Sequence, residues 1–149
     1  MIPKIIHYCW FGRNPKRKLE RKCIESWKKF CPDYQIIEWN EDNYDLESAP
    51  MFVRQAIEAK KWAFATDYIR LKVIFEYGGV YMDTDVELVK PLDSVLDNTV
   101  YFGLQYSNSI IMSINSGLGF GTEKHTGFQH ELMAIYESES FLLSNGEKT

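Results

Sequence analysis

A chain of 149 residues, 45% hydrophobic and 26% charged, fits one globular domain able to bury roughly two thirds of its unfolded surface. A net charge of −4 argues against a general nucleic-acid binder, which carries a basic field. No apolar stretch reaches the ~20 residues that a bilayer-spanning helix needs.

The first run, Lys4 to Trp10, is β-branched and aromatic and closes at Gly12, which predicts a buried strand followed by a turn. Met1-Ile2-Pro3-Lys4 leads straight into it, so no secretory leader is read there. Leu19 to Phe30 sets Cys23, Ile24, Trp27 and Phe30 at helical spacing among charged residues, an amphipathic helix that Pro32 stops. Arg13, Lys16, Arg17, Lys18, Arg21, Lys22, Lys28 and Lys29 cluster here. They form either the solvated face of that helix or a contact surface for an acidic polymer or for anionic lipid headgroups at the inner face of a membrane. Cys9, Cys23 and Cys31 are an odd set without metal-ligand spacing, as expected of reduced thiols in a cytoplasmic protein.

Tyr34 to Trp39 reads as a second strand, ended by the polar turn Asn40-Glu41-Asp42-Asn43. Pro50 opens a helix to about Lys60, and a further helix from Trp62 to Tyr77 is ended by Gly78-Gly79. Val80 to Met82 is a short apolar strand, Asp83-Thr84-Asp85 follows, and Val86 to Val89 resumes an extended pattern until Pro91. Short strands are expected at Val100–Leu104 and Ile110–Ser113, and a helix at about Gly127–Tyr136. Alternating strands and helices predict an α/β domain with a mostly parallel central sheet. Gly117, Gly119 and Gly121 read as flexible turns, and His7 as a hydrogen-bonded core histidine.

The chemistry concentrates at Asp83 and Asp85. In extended backbone these two carboxylates would point the same way and repel unless a cation lies near them. Hard oxygen donors select Mg²⁺, Mn²⁺ or Ca²⁺, and Mg²⁺-type ions keep positions open for substrate phosphates. A strand's C-terminal end in an α/β sheet is the usual ligand crevice. On the preceding helix Asp67 and Arg70 share a face; they form either an exposed ion pair or a clamp for sugar hydroxyls and phosphate. Trp10 is either a core residue or a platform on which a nucleobase stacks.

Four ordered motifs bring in a resemblance. Ile2-Pro3-Lys4-Ile5-Ile6-His7-Tyr8-Cys9-Trp10-Phe11-Gly12, Ser26-Trp27-Lys28, Ala63-Phe64-Ala65-Thr66-Asp67-Tyr68-Ile69-Arg70 and Gly78-Gly79-Val80-Tyr81-Met82-Asp83-Thr84-Asp85 resemble glycosyltransferases with a DXD sugar-binding region. That group includes yeast-type initiating α-1,6-mannosyltransferases, bacterial capsular polysaccharide transferases and, more distantly, clostridial glucosylating toxins. The resemblance runs from about Ile2 to Phe120. It implies a GT-A-like, Rossmann-related fold, a UDP- or GDP-sugar donor, a glycan or lipid-linked acceptor, Mn²⁺ or Mg²⁺, and retention of anomeric configuration.

Carried over by motif, Trp10 would stack on the base, and Asp67 and Arg70 would hold the donor sugar. Tyr81 would lie along the diphosphate, Asp83 would contact ribose or the ion, and Asp85 would coordinate the metal. Thr66 stands where relatives often have Ser, and Asn115 would face the sugar. Relatives continue well past this length, and their C-terminal portion adds metal ligands and acceptor contacts. This chain is therefore expected to be a single domain lacking part of that region. A non-catalytic sugar-nucleotide-binding module and an aspartate-nucleophile phosphatase, with Asp83 as nucleophile, are the competing functions.

Overall fold

The computed structural model describes residues 1–142. The order is β1 (Ile5–Cys9), α1 (Lys18–Phe30), β2 (Gln35–Trp39), α2 (Met51–Glu58), α3 (Trp62–Tyr77) and β3 (Gly79–Tyr81), followed by β4 (Val100–Phe102), β5 (Leu104–Ser107), β6 (Ile110–Ile114), β7 (Phe120–Thr122) and α4 (Gly127–Ser138). A single turn of 3-10 helix at Asp93–Val95 precedes β4.

Five strands form one sheet in the order β2-β1-β3-β7-β4. β1 runs parallel to both β2 and β3, while β7 is antiparallel to β3 and to β4. Four strands therefore point one way and β7 alone opposes them, the mixed, mostly parallel sheet expected. Parallel strands need crossovers: α1 joins β1 to its neighbour β2, and α2 with α3 carry the chain from β2 past β1 to β3.

Alternation along the strands builds two cores. Ile6, Tyr8, Val80 and Met82 face α1 and pack with Ile24, Trp27 and Tyr34. Tyr81, Phe120 and Trp39 face the helical layer and join Phe52 and Val53 of α2, Ile69 and Ile74 of α3, and Met133 of α4. β3 is buried along its whole length, so its carboxyl end opens onto the site from the centre of the sheet. The α3-to-β3 junction is glycine on both sides, Gly78 at φ 68° and Gly79 at φ 110°, as the helix-ending pair predicts.

His7 is fully buried, as expected of a core histidine. Its Nδ1 accepts from Trp39 Nε1 at 3.0 Å, which leaves Nε2–H to donate to the Gly78 carbonyl at 2.9 Å. Burial lowers its pKa to about 4, so the ring is neutral in the folded chain.

Three expectations are corrected. Val86 to Val89 is not a strand: Trp27 Nε1 donates to the Val86 carbonyl at 2.8 Å and the Leu88 amide donates to Ser26 Oγ at 2.9 Å. Side chains of α1 thus satisfy the backbone that a ladder would have satisfied. Gly119 and Gly121 are not loose turns: Gly121 is the middle residue of β7, Gly119 immediately precedes it, and both are buried. A Cβ at Gly121 would sit 2.6 Å from the Tyr101 ring, so glycine lets that ring cross the strand. The extended run expected at Val100–Leu104 breaks at Gly103 into β4 and β5. β5 pairs with β6 in a separate two-stranded hairpin turned by Asn108 and Ser109, both at positive φ.

Candidate functional site

One cleft of about 630 Å³ opens past the carboxyl ends of β1 and β3, and Trp10, Thr66, Arg70, Tyr81, Asp83 and Asp85 all line it. Four separate stretches of chain meet there: the end of β1, the loop before α1, the first turns of α3, and the turn after β3. Asp67 lies off this lining and reaches it only through Arg70, and Asn115 stands behind Asp83.

The acidic pair is not on extended backbone as the sequence reading assumed. Residues 83–86 form a tight turn in which the Val86 amide donates to the Asp83 carbonyl at 3.1 Å. β3 ends at Tyr81, and the grip of α1 on Val86 and Leu88 draws the chain away from the sheet immediately after the motif. Asp83 is half-buried and held: Tyr81 Oη donates to its Oδ1 at 3.2 Å, and an Arg70 guanidinium nitrogen is 3.6 Å away. Asp85 is exposed and makes no side-chain hydrogen bond or ion pair among the described residues.

Arg70 is the organising cation and is only 8% exposed. Its Nε donates to the Thr66 carbonyl at 3.1 Å, one guanidinium nitrogen donates to Ser116 Oγ at 3.3 Å, and the other lies 3.2 Å from Asp67 Oδ1. The group stacks over Tyr81 with its central carbon 4.9 Å from the ring centroid. Burial opposes its charge, but Tyr81, Asp83 and Asp67 outweigh that and raise its pKa. Partial burial raises the Asp67 carboxyl, with Arg70 pulling the other way. Cys9, on the cleft floor, is pushed up to about 12 by burial and stays a neutral thiol.

At the entrance the Trp10 indole N–H donates to the Asn14 carbonyl at 2.6 Å, and Lys16 Nζ lies 5.6 Å from the ring centroid. That hydrogen bond fixes the ring's plane. Trp62, which the sequence reading did not single out, lines the same cleft. Its indole packs against Gly12, where a Cβ would come within 2.9 Å. The signal was available: Trp62, Thr66 and Arg70 recur every fourth residue on α3 and so share one face. Ser116 and Gly117 were missed too, being far from the acidic pair in sequence.

The basic cluster divides between loop and helix. Arg13, Lys16, Arg17, Lys22 and Lys28 pair with Asp42, Glu38, Glu20, Glu87 and Glu25. Glu20 also accepts from the Arg17 amide at 2.9 Å, the reach-back half of a helix-capping box that opens α1. No helix among the described residues is long and apolar enough to cross a membrane.

Two carboxylates, a buried arginine and two tryptophans in one cleft can receive an anionic ligand that carries a flat ring. Comparison with known proteins gives the family. Residues 17–102 match the family described as glycosyltransferase sugar-binding region containing DXD motif. Over 101 residues the chain is 29% identical to inositol phosphoceramide mannosyltransferase 3 of Schizosaccharomyces pombe, covering 64% of this chain and 27% of that protein. Over 102 residues it is 31% identical to mannosyl phosphorylinositol ceramide synthase SUR1 of Saccharomyces cerevisiae, covering 64% and 26%. The chain thus spans about a quarter of the length of these relatives. In fold it resembles the PaToxG glycosyltransferase, with a TM-score of 0.66 at 21% identity over 90% of this chain and 59% of that one. The chain belongs to the glycosyltransferases with a DXD-containing sugar-binding region.

Proposed function

We propose that this chain binds a UDP- or GDP-hexose in the Trp10–Asp85 cleft and transfers the sugar to a glycan or lipid-linked acceptor, with retention of configuration. The observation that carries the reading is that Asp83, Asp85, Arg70, Tyr81, Thr66 and Trp10 share one cleft. The residue types fit a hard divalent ion: Asp85 is exposed with its oxygens uncommitted, and Asp83 lies two residues before it in the same turn. Among the described residues no three His, Cys, Asp or Glu side chains converge on a metal position, so an ion held by Asp83 and Asp85 would complete its ligands from the diphosphate and water. A bound Mn²⁺ or Mg²⁺ would supply positive charge to the departing diphosphate.

The chain's own residues do the rest. Trp10 offers a ring face to the base, with its edge fixed by Asn14. Tyr81 lies on the floor between Arg70 and Asp83, where its hydroxyl orients the carboxylate. Arg70 holds a permanent charge where negative charge develops on the leaving group, and its bonds to Thr66 and Ser116 keep it from reorganising during the step. Asp67 and Asn115 lie off the cleft lining and act on the donor sugar indirectly, Asp67 through its ion pair with Arg70 and Asn115 through the Gly117 turn that it holds. The carboxylates lining the cleft are Glu20, Asp83 and Asp85, and Glu20 is locked by Arg17. With Asp83 and Asp85 assigned to the metal ion, no carboxylate of the cleft is left over as a covalent nucleophile, which favours direct same-face substitution. A glycosyl adduct trapped on any Asp or Glu would overturn that part.

The named relatives make an inositol-bearing lipid one acceptor class to test beside polysaccharide acceptors. The phosphatase reading has no support left, because Asp83 belongs to a transferase-family motif and is tied to Tyr81 and Arg70. The test is calorimetric titration with UDP- and GDP-sugars, with and without Mn²⁺, followed by donor hydrolysis. Manganese-assisted binding that Asp85→Ala weakens at least tenfold, at unchanged melting temperature, supports the proposal; metal-independent binding or none sinks it. Binding without turnover would assign the chain the non-catalytic module role.

A further inference from the structure

We propose that Gly117 is a positioning residue, keeping clear the space that the Asp83 carboxylate occupies beside Tyr81 and Arg70. The inference rests on the reading of Asp83 as a ligand of the metal–diphosphate group, and it adds a residue from a distant segment to that site.

The turn Asn115-Ser116-Gly117, at the end of β6, is tied to the site by three contacts. The Asp83 amide donates to the Gly117 carbonyl at 2.8 Å, which docks the turn against the start of the acidic motif. Arg70 donates to Ser116 Oγ at 3.3 Å. The third contact is steric: a Cβ on Gly117 would overlap Asp83 Oδ2, lie 3.0 Å from Asp83 Cγ and stand 3.1 Å from Asn115 Oδ1. Gly117 is buried and has no left-handed φ, so its backbone accepts any L-residue. Glycine is required there for space alone.

The turn cannot simply back away from a larger residue. The Gly117 amide donates to Asn115 Oδ1 at 2.9 Å, the Asn115 amide donates to the Gly103 carbonyl at 3.0 Å, and Asn115 Nδ2 donates to Gln105 Oε1 at 3.0 Å. The turn is thereby fastened across the base of the β5–β6 hairpin. The Asp83 side chain is the softer partner. One added methyl would drive its carboxylate out of hydrogen-bond range of Tyr81 and away from Arg70, displacing a first ligand while leaving every ligand in the sequence.

The test is Gly117→Ala, with Gly127→Ala as control because a Cβ there meets nothing within 4 Å. Titration of Mn²⁺ with UDP and with GDP is expected to show at least a tenfold loss of affinity for Gly117→Ala and none for the control. In ligand-free protein the Arg70 Nε–H resonance should shift, because its neighbour has moved. Both the resonance shift and any loss of melting temperature should vanish when Gly117→Ala is made in an Asp83→Ala background, where the overlap no longer exists. Wild-type affinity and an unmoved Arg70 resonance in Gly117→Ala would overturn the proposal, as would a resonance shift or melting loss that persists without the Asp83 carboxylate. If the wild type itself shows no metal-assisted nucleotide binding, the proposed function fails, and the ligand-free resonance and melting data alone decide the role of Gly117.

Discussion

The floor and the rim of the cleft are built on opposite principles. On the floor, Arg70 and Tyr81 are buried and stacked on each other, and both hold Asp83; beneath them in the core His7 is buried and hydrogen-bonded. At the rim, Asp85 is exposed without a protein partner and Trp10 is half-open; the β5–β6 hairpin is paired only with itself, and Tyr106, Ile110 and Ile114 lie more than half exposed. A charge in a buried network is fixed before a ligand arrives, whereas a rim carboxylate can still adjust to a hydrated ion. Floor residues should therefore couple to folding, and rim residues to binding alone.

The sharpest way to break that contrast is Arg70→Ala. It removes the cation from beside Asp67 and Asp83 and empties a buried volume over Tyr81, and should cost about 2–4 kcal/mol of stability in urea denaturation while abolishing nucleotide binding. A fully stable variant that merely binds more weakly would move Arg70 from floor to rim.

His7 extends the comparison to pH. Its folded pKa of about 4 lies below the ordinary 6.5, so on acidification the unfolded chain takes up the proton first. The contribution is fully present above pH 6.5 and is lost as pH falls toward 4, by an amount on the order of 3 kcal/mol. Stability measured by denaturant at pH 7 and pH 4.5 should show that loss, with part of it absent in His7→Asn. Equal pH slopes in the two proteins would contradict a neutral, buried ring.

Trp10→Ala is the smallest expected effect and belongs wholly to the rim. Loss of a stacking face should weaken nucleotide binding by about 1–3 kcal/mol, by the same factor with and without Mn²⁺. Melting temperature should stay within about 2 °C, since the ring is not part of a closed core. A metal-dependent loss would mean that Trp10 acts through Asp85 rather than on the base.

Much of this was legible from local pattern. Helix α3 begins and ends at the residues expected, because Lys61 precedes an unbroken helical spacing and Gly78 cannot continue it. The core role of His7 followed from its place in a β-branched run, and the acidic pair stood out because an apolar strand leads into it. The turn at Asp83–Asp85, the β7 strand and the broken extended run after Val86 were not legible. Each depends on a partner distant in the chain: Gly117 for Asp83, Gly79 to Tyr81 for β7, and Trp27 for Val86.

Sequence alone determined the periodicities, and with them the α/β class and the residue types able to hold a cation and a diphosphate, because side-chain direction repeats with backbone geometry. Tertiary structure alone decided which of those residues face one another. It brought Trp62 into one cleft with Trp10, seated Arg70 against Ser116, and cleared room for Asp83 at Gly117, since contacts between distant segments depend on packing that no local spacing encodes.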